Sequence, residues 1–120
     1  MALPVTERYN AVVITPKGEF FGGIQGPTFR DTLAKLRKEG KKNVVVDLGE
    51  TTLMDSSGIG VLIAEKEAFS KDGGDVRLAR VEARVRNLFL MTRLMGEVFT
   101  LYPTVDEAVQ SYASSSASAS

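Results

Sequence analysis

Val44-Val45-Val46-Asp47-Leu48 is the segment that most limits the folds open to this chain. Its apolar residues follow one another without the polar alternation of a half-solvated strand, and β-branched side chains fit a pleated surface better than a helix. A strand of this kind is covered on both faces, as in a parallel sheet flanked by helices. The surrounding pattern agrees. Arg8 to Thr15 is rich in strand formers, Pro16-Lys17-Gly18 supplies a turn, and Gly18 to Gly22 can return as a second strand. The glycine-rich stretch from Gly22 to Pro27 reads as a loop. Phe29, Leu33 and Leu36 recur at helical spacing and predict a helix that stops near Gly40. A second helix is expected from about Ser57 to Asp72, ended by Gly73-Gly74, and alternation of Val76 and Leu78 marks a strand over Asp75 to Ala79. Val81, Val85, Leu88 and Phe89 make the stripe of a third helix, and Val98 to Tyr102 reads as a last strand. Thr104 and Glu107 then form a capping box that opens a fourth helix. The order ββαβαβαβα predicts an α/β fold with a mixed, mostly parallel sheet and packed helices.

At 120 residues the chain accommodates one domain, assigned to residues 1–112, and no internal repeat is present. The Ser/Ala end, residues 113–120, is low in complexity and is expected to be a disordered tail. Fifteen basic and fifteen acidic side chains cancel, so neither nucleic acid nor an anionic membrane is an expected partner. The basic group Lys35, Arg37, Lys38, Lys41 and Lys42 reads as a solvated face. Absence of cysteine removes any need for an oxidising compartment. The opening MALPVTERYN lacks the pattern of a signal peptide, and no run is long enough to span a membrane. Cytoplasm is the expected location.

The same composition narrows the chemistry. Without histidine or cysteine there is no Ser-His-Asp or Cys-His arrangement, and a metal site would need carboxylates alone. Neither the phosphate-binding loop nor the dinucleotide fingerprint occurs, and Ser56 is not in a nucleophile elbow. Glu65 and Glu67 lie two apart on a helix, face different directions and are expected in solvent. The chain is therefore read as a non-enzyme with no cofactor and no metal.

Leu53 to Leu62 carries the functional information, because there a strand and its loop hand over to a helix. The carboxyl edge of an α/β sheet is its usual functional edge, and a helix start leaves backbone N–H groups free. Asp55, Ser56 and Ser57 are all residue types that cap such a start, so a purely structural cap accounts for them as well as a site does. The helix also has two apolar faces. Ile59, Leu62, Ile63 and Phe69 point to a core, while Val61, Ala64 and Ala68 align with Ser57 on the other side. That second face is either a docking surface or covered by a neighbouring element.

The run VVVDLGETTLMDSSGIGVLIAEKEAFSKDGGDVRLARV, from Val44 to Val81, resembles the STAS domain of bacterial anti-sigma factor antagonists. The likeness continues through RVRNLFLMTRLMGEVFTLYPTVDEAV, and the D-S-S-G-[IL]-G-V-L pattern is its most specific part. The resemblance implies that Ser56, directly after the aspartate, is the phosphoacceptor of a serine/threonine kinase that is itself the anti-sigma factor. In unphosphorylated form such a protein binds the kinase and frees a sigma factor, switching transcription in a stress response. A serine phosphatase resets it, and ATP and Mg²⁺ belong to the kinase. In this reading Asp55 and Ser57 shape the presentation of Ser56, and Gly58 with the helix face of Val61, Ala64 and Ala68 joins them in the expected partner-binding surface; Phe20 and Phe21 are expected there too, unless one of them is core. The sequence departs from the family at its G-E-L-D run. Here Gly18-Glu19-Phe20-Phe21 is followed by Gly22 to Pro27, which leaves the choice of partner open. Two other roles also stay open: an accessory subunit of a transport or membrane-lipid system, and a small-ligand or nucleotide sensor.

Overall fold

The computed structural model describes residues 3–8, 10–83, 85–87 and 99–119, with side chains described as far as residue 113. Strands are β1 (Val5–Glu7), β2 (Val12–Ile14), β3 (Gly18–Phe20), β4 (Asn43–Asp47), β5 (Thr51–Met54), β6 (Asp75–Ala79) and β7 (Leu101–Tyr102); helices are α1 (Gly26–Lys38), α2 (Ser56–Lys71) and α3 (Val105–Ala119). A five-stranded sheet has the order β1-β2-β4-β6-β7, with β1 antiparallel to β2 and the remaining neighbours parallel. β3 and β5 pair in parallel as a separate two-stranded sheet.

β4 is the central strand that its sequence predicts. Val44 and Val46 align with Val12 and Ile14 on one side and with Val76 and Leu78 on the other. These six residues face α1 and α2, packing with Phe29, Leu33, Leu36, Ile59, Leu62 and Phe69. Val13, Val45 and Ala79 point to the opposite face, which α3 covers with Ala108, Val109 and Tyr112. Both faces of β4 are thereby dry, and Val44, Val45 and Val46 are fully buried. Tyr112 pins α3 through its hydroxyl, which accepts from the Val44 N–H at 3.2 Å and lies 2.6 Å from the Val44 carbonyl and 2.8 Å from that of Asp75. Burial pushes this phenol far above its usual range.

The order of elements differs from the expected ββαβαβαβα at the start and in the middle. Arg8 and Ala11 exchange backbone hydrogen bonds of 2.8 and 3.3 Å, so a tight turn takes the start of the strand-former run; β2 keeps only its Val12–Ile14 part, and β1 lies upstream at Val5–Glu7 and pairs back on it. After Pro16 the chain leaves the main sheet. Its carbonyl accepts from the Thr51 hydroxyl at 3.0 Å, and β3 pairs with β5 rather than folding back on β2. Val81 and Val85 of the expected third helix are buried, with helical backbone at 83 and 85–87, whereas Leu88, Phe89 and Val98 lie outside the described residues. α3 begins as its capping box predicts, the Glu107 N–H donating to Thr104 Oγ1 at 3.1 Å. Its backbone continues to Ala119 and takes in most of the Ser/Ala end, whose alanines favour helix.

Two surface expectations are corrected. Arg37 is half-buried, lying 5.9 Å over the Phe69 ring and 3.6 Å from Asp72, so the basic group is only partly a solvated face. Glu65 is 6% exposed instead of solvated, and its Oε2 has no hydrogen-bond partner among the described residues. It lies one turn beyond Val61, on the side of α2 that packs against Gly26 of α1. Burial pushes its carboxyl above the usual range, opposed by the charges of Arg37 and Arg30.

Candidate functional site

β3 and β5 run in parallel and end together, with Phe20 opposite Met54, so they deliver two loops to one place. The loop after β5 is a single residue, Asp55, which caps α2 in extended conformation. Its Oδ1 accepts from the Gly58 N–H at 2.7 Å, from the Ser57 hydroxyl at 2.8 Å, and from the Gly22 N–H at 3.1 Å. Partial loss of water pulls this carboxyl upward, but the Gly22 and Gly58 N–H groups and the Ser57 hydroxyl outweigh it and hold the carboxyl below the usual carboxylate range.

Two glycines let the loops approach. A Cβ at Gly22 would lie 2.3 Å from the Ser57 carbonyl oxygen, and one at Gly58 would lie 2.6 Å from the Phe20 carbonyl oxygen. The turn after β3 is closed from within. Phe21 carbonyl accepts from the N–H groups of Ile24 and Gln25 at 2.9 and 2.8 Å, and the Phe21 N–H donates to Gln25 Oε1 at 2.7 Å. At its tip Ile24 is 70% exposed.

The two serines are chemically distinct here. Ser57 has committed its hydroxyl to Asp55, whereas Ser56, exposed in the first turn of α2, has no side-chain hydrogen bond among the described residues. The first N–H groups of a helix and its dipole favour negative charge at such a position. Ser56, Ser57, Gly60 and Ala64 are the exposed residues of the first two and a half turns, and none is charged. Among the described residues no acidic group of three or more is placed to hold a metal, and no helix is long and apolar enough to cross a membrane.

Not all the expected surface residues lie on this face. Asp55, Ser56, Ser57 and Ala64 do, and Ala68 and Phe21 are half-buried. Val61, 2% exposed, is corrected to the interior, where it packs against Gly26 of α1. Phe20 is core as well, edge-on to Phe29 with ring centroids 5.0 Å apart, and Gly58 is covered by Phe20 and Met54. The physical reason is that α2 packs against the sheet on one side and α1 on another, which leaves only a narrow strip. That strip, Ser57-Gly60-Ala64, keeps helical spacing, so Gly60 was accessible to sequence reasoning that treated glycine as surface instead of punctuation. Ile24 falls in a stretch that reads as a loop by composition, yet it is one large apolar side chain between glycine and polar neighbours, and the structure exposes it.

The STAS domain family model matches residues 2–108. The anti-sigma-B factor antagonist of Staphylococcus epidermidis is 29% identical over 68 residues, 57% of this chain and 63% of the relative, so the chain spans less than two thirds of that protein's length. The crystal structure of an anti-sigma factor antagonist from Mycobacterium paratuberculosis superposes with a TM-score of 0.81 at 22% identity, covering 93% of each chain. The Bacillus cell fate determinant SpoIIAA in its phosphorylated form superposes with a TM-score of 0.69 at 21% identity, covering 91% of this chain and 97% of that one. At these identities the two likenesses concern the fold, a single α/β domain with a mixed sheet.

Proposed function

Because this chain belongs to the STAS domain family, we propose that it is an anti-sigma factor antagonist controlled by phosphorylation of Ser56. The observation that carries the proposal is the division of labour between the serines. Ser57 is used up in holding Asp55, and the Ser56 hydroxyl stands exposed at the helix start. In unmodified form the uncharged strip Ser56-Ser57-Gly60-Ala64 docks an anti-sigma serine kinase, and the sigma factor is released. Small side chains permit close approach, and an interface of this kind tolerates an added charge poorly.

The kinase holds ATP and Mg²⁺ and positions the Ser56 oxygen in line with the γ-phosphorus. The Ser56 Oγ–P bond forms, the bond from the γ-phosphorus to the β,γ-bridging oxygen breaks, ADP leaves, and the hydroxyl proton passes to the kinase. The product carries about −1.5 to −2 charge near neutral pH beside Ser57, Gly60 and Ala64, which leave the first two and a half turns of α2 without an exposed charge. Asp55, already turned inward by its three donors, adds like charge behind it. The α2 N-terminus stabilises the phosphate on the protein, and docking is lost. A phosphatase restores the hydroxyl. The protein is then a substrate and a binding module of the bacterial cytoplasm, without turnover of its own.

The test is phosphosite mapping. Each anti-sigma serine kinase of the source genome is purified, incubated with the protein and ATP, and the product digested and sequenced by mass spectrometry. Modification of Ser56, absent from Ser56→Ala, is expected. Modification confined to Ser57 or to the serines beyond residue 113 would contradict the assignment.

A further inference from the structure

We propose that Ile24 is the apolar anchor of the docking surface, inserted into an apolar pocket of the anti-sigma partner, and that it determines which partner is accepted. The inference rests on the antagonist reading and deepens it by naming the contact that selects the kinase. Among the described residues only Val5, Ile24 and Leu53 are large, apolar and exposed, and Ile24 is the most exposed of them at 70%. A single exposed apolar side chain is ordinary on a protein surface. Ile24 differs in how it is held.

Its turn is closed by the N–H groups of Ile24 and Gln25 on the Phe21 carbonyl and by the Gln25 side chain on the Phe21 N–H. The same turn is fastened to the Ser56 site twice. The Gly22 N–H donates to Asp55, and Gly22 packs so closely on Ser57 that a Cβ would overlap the Ser57 carbonyl. Ile24 is therefore presented in a preformed position, and little ordering is left to oppose its burial on binding. The exposed residues at the start of α2, to which the turn is fastened through Gly22, are Ser56, Ser57, Gly60 and Ala64, all small and uncharged. A partner that fits brings an apolar pocket to Ile24 and a flat, uncharged surface to the helix. A pocket lined by charge is rejected, because its groups would be desolvated without a partner.

The experiment measures affinity for the kinase that phosphorylates Ser56, immobilised and titrated with unmodified protein and with Ile24→Ser, Ile24→Met and Val5→Ser. Val5, on the edge strand β1, is the apolar-to-polar control. Ile24→Ser is expected to bind about ten- to a hundredfold more weakly with an unchanged melting temperature, the effect of withholding one large aliphatic side chain from a pocket. Ile24→Met, of similar volume, is expected within about threefold of the unaltered protein, and Val5→Ser at its level. Equal binding by Ile24→Ser, or an equal loss with Val5→Ser, overturns the anchor while leaving the antagonist reading standing. Failure of the unaltered protein to bind the kinase overturns both.

Discussion

Replacing Glu65 by methionine is expected to stabilise the protein at neutral pH. Glu65 is 6% exposed and its Oε2 has no hydrogen-bond partner among the described residues. A buried polar group left unsatisfied costs about 1–3 kcal/mol, and more when charged. The attraction of Arg37 and Arg30 offsets part of that cost, so a gain of about 1–2 kcal/mol is expected for a side chain of similar length with no polar oxygen. Unfolding entropy of about 2.1 cal/mol/K per residue gives ~0.25 kcal/mol/K over this chain, and hence a melting temperature higher by roughly 4–8 °C. The pH dependence has a definite sign. The carboxyl is raised above its ordinary 4.5 in the folded protein, so the folded state holds the proton more tightly than the unfolded one. Stability is full below 4.5 and is lost as pH rises through the folded value. Calorimetric melts of both proteins across this range should therefore diverge as pH rises and converge near pH 4.5. A methionine variant that melts lower at neutral pH, or whose advantage is the same at both ends, would refute this reasoning.

Gly22→Ala places a Cβ 2.3 Å from the Ser57 carbonyl and should push the turn off α2. Loss of the Gly22–Asp55 hydrogen bond, a bond to a charged group worth about 1.5–3 kcal/mol, should lower the melting temperature by roughly 6–12 °C. The same variant should weaken kinase binding. Tyr112→Phe leaves the Val44 N–H without the hydroxyl it reaches at 3.2 Å, and a loss of about 1–3 kcal/mol should appear in denaturant melts with Ser56 phosphorylation unchanged. Asp55 is held below its ordinary 3.8, so it stabilises the fold above that pH and the contribution disappears as pH falls through the lower folded value. Asp55→Ala should flatten the acid limb of the stability profile, measured by melts on either side of pH 3.8.

The central architecture was legible because its signals are local. The apolar run at β4, the stripe of α1 and the caps of α2 and α3 each lie within one element. What escaped depends on pairing at a distance. Thr51 to Met54 is too short to show strand alternation, and its partner β3 lies more than thirty residues earlier. Nothing local distinguishes a β3 that returns on β2 from one that crosses to β5. Val61 and Glu65 were misplaced for a related reason. Helical spacing assigns them one face, but only the packing of α1 decides whether that face is wet. At the site, residue type and order mark Asp55, Ser56 and Ser57 as cap residues at a helix start, and only the resemblance singles out Ser56. The difference in hydrogen bonding between the serines was not legible, since it follows from a 2.8 Å contact that either hydroxyl has the chemistry to make.

The most direct test of the switch is the affinity of the kinase for the two forms of the protein. Protein phosphorylated on Ser56 is separated from unmodified protein by anion exchange, and each is titrated against the same kinase by calorimetry without ATP. The unmodified form should bind, and the phosphorylated form should bind at least about a hundredfold more weakly, equivalent to ~2.7 kcal/mol, with Ser56→Ala near the unmodified value. Equal affinity of the two forms would contradict a phosphorylation-controlled antagonist.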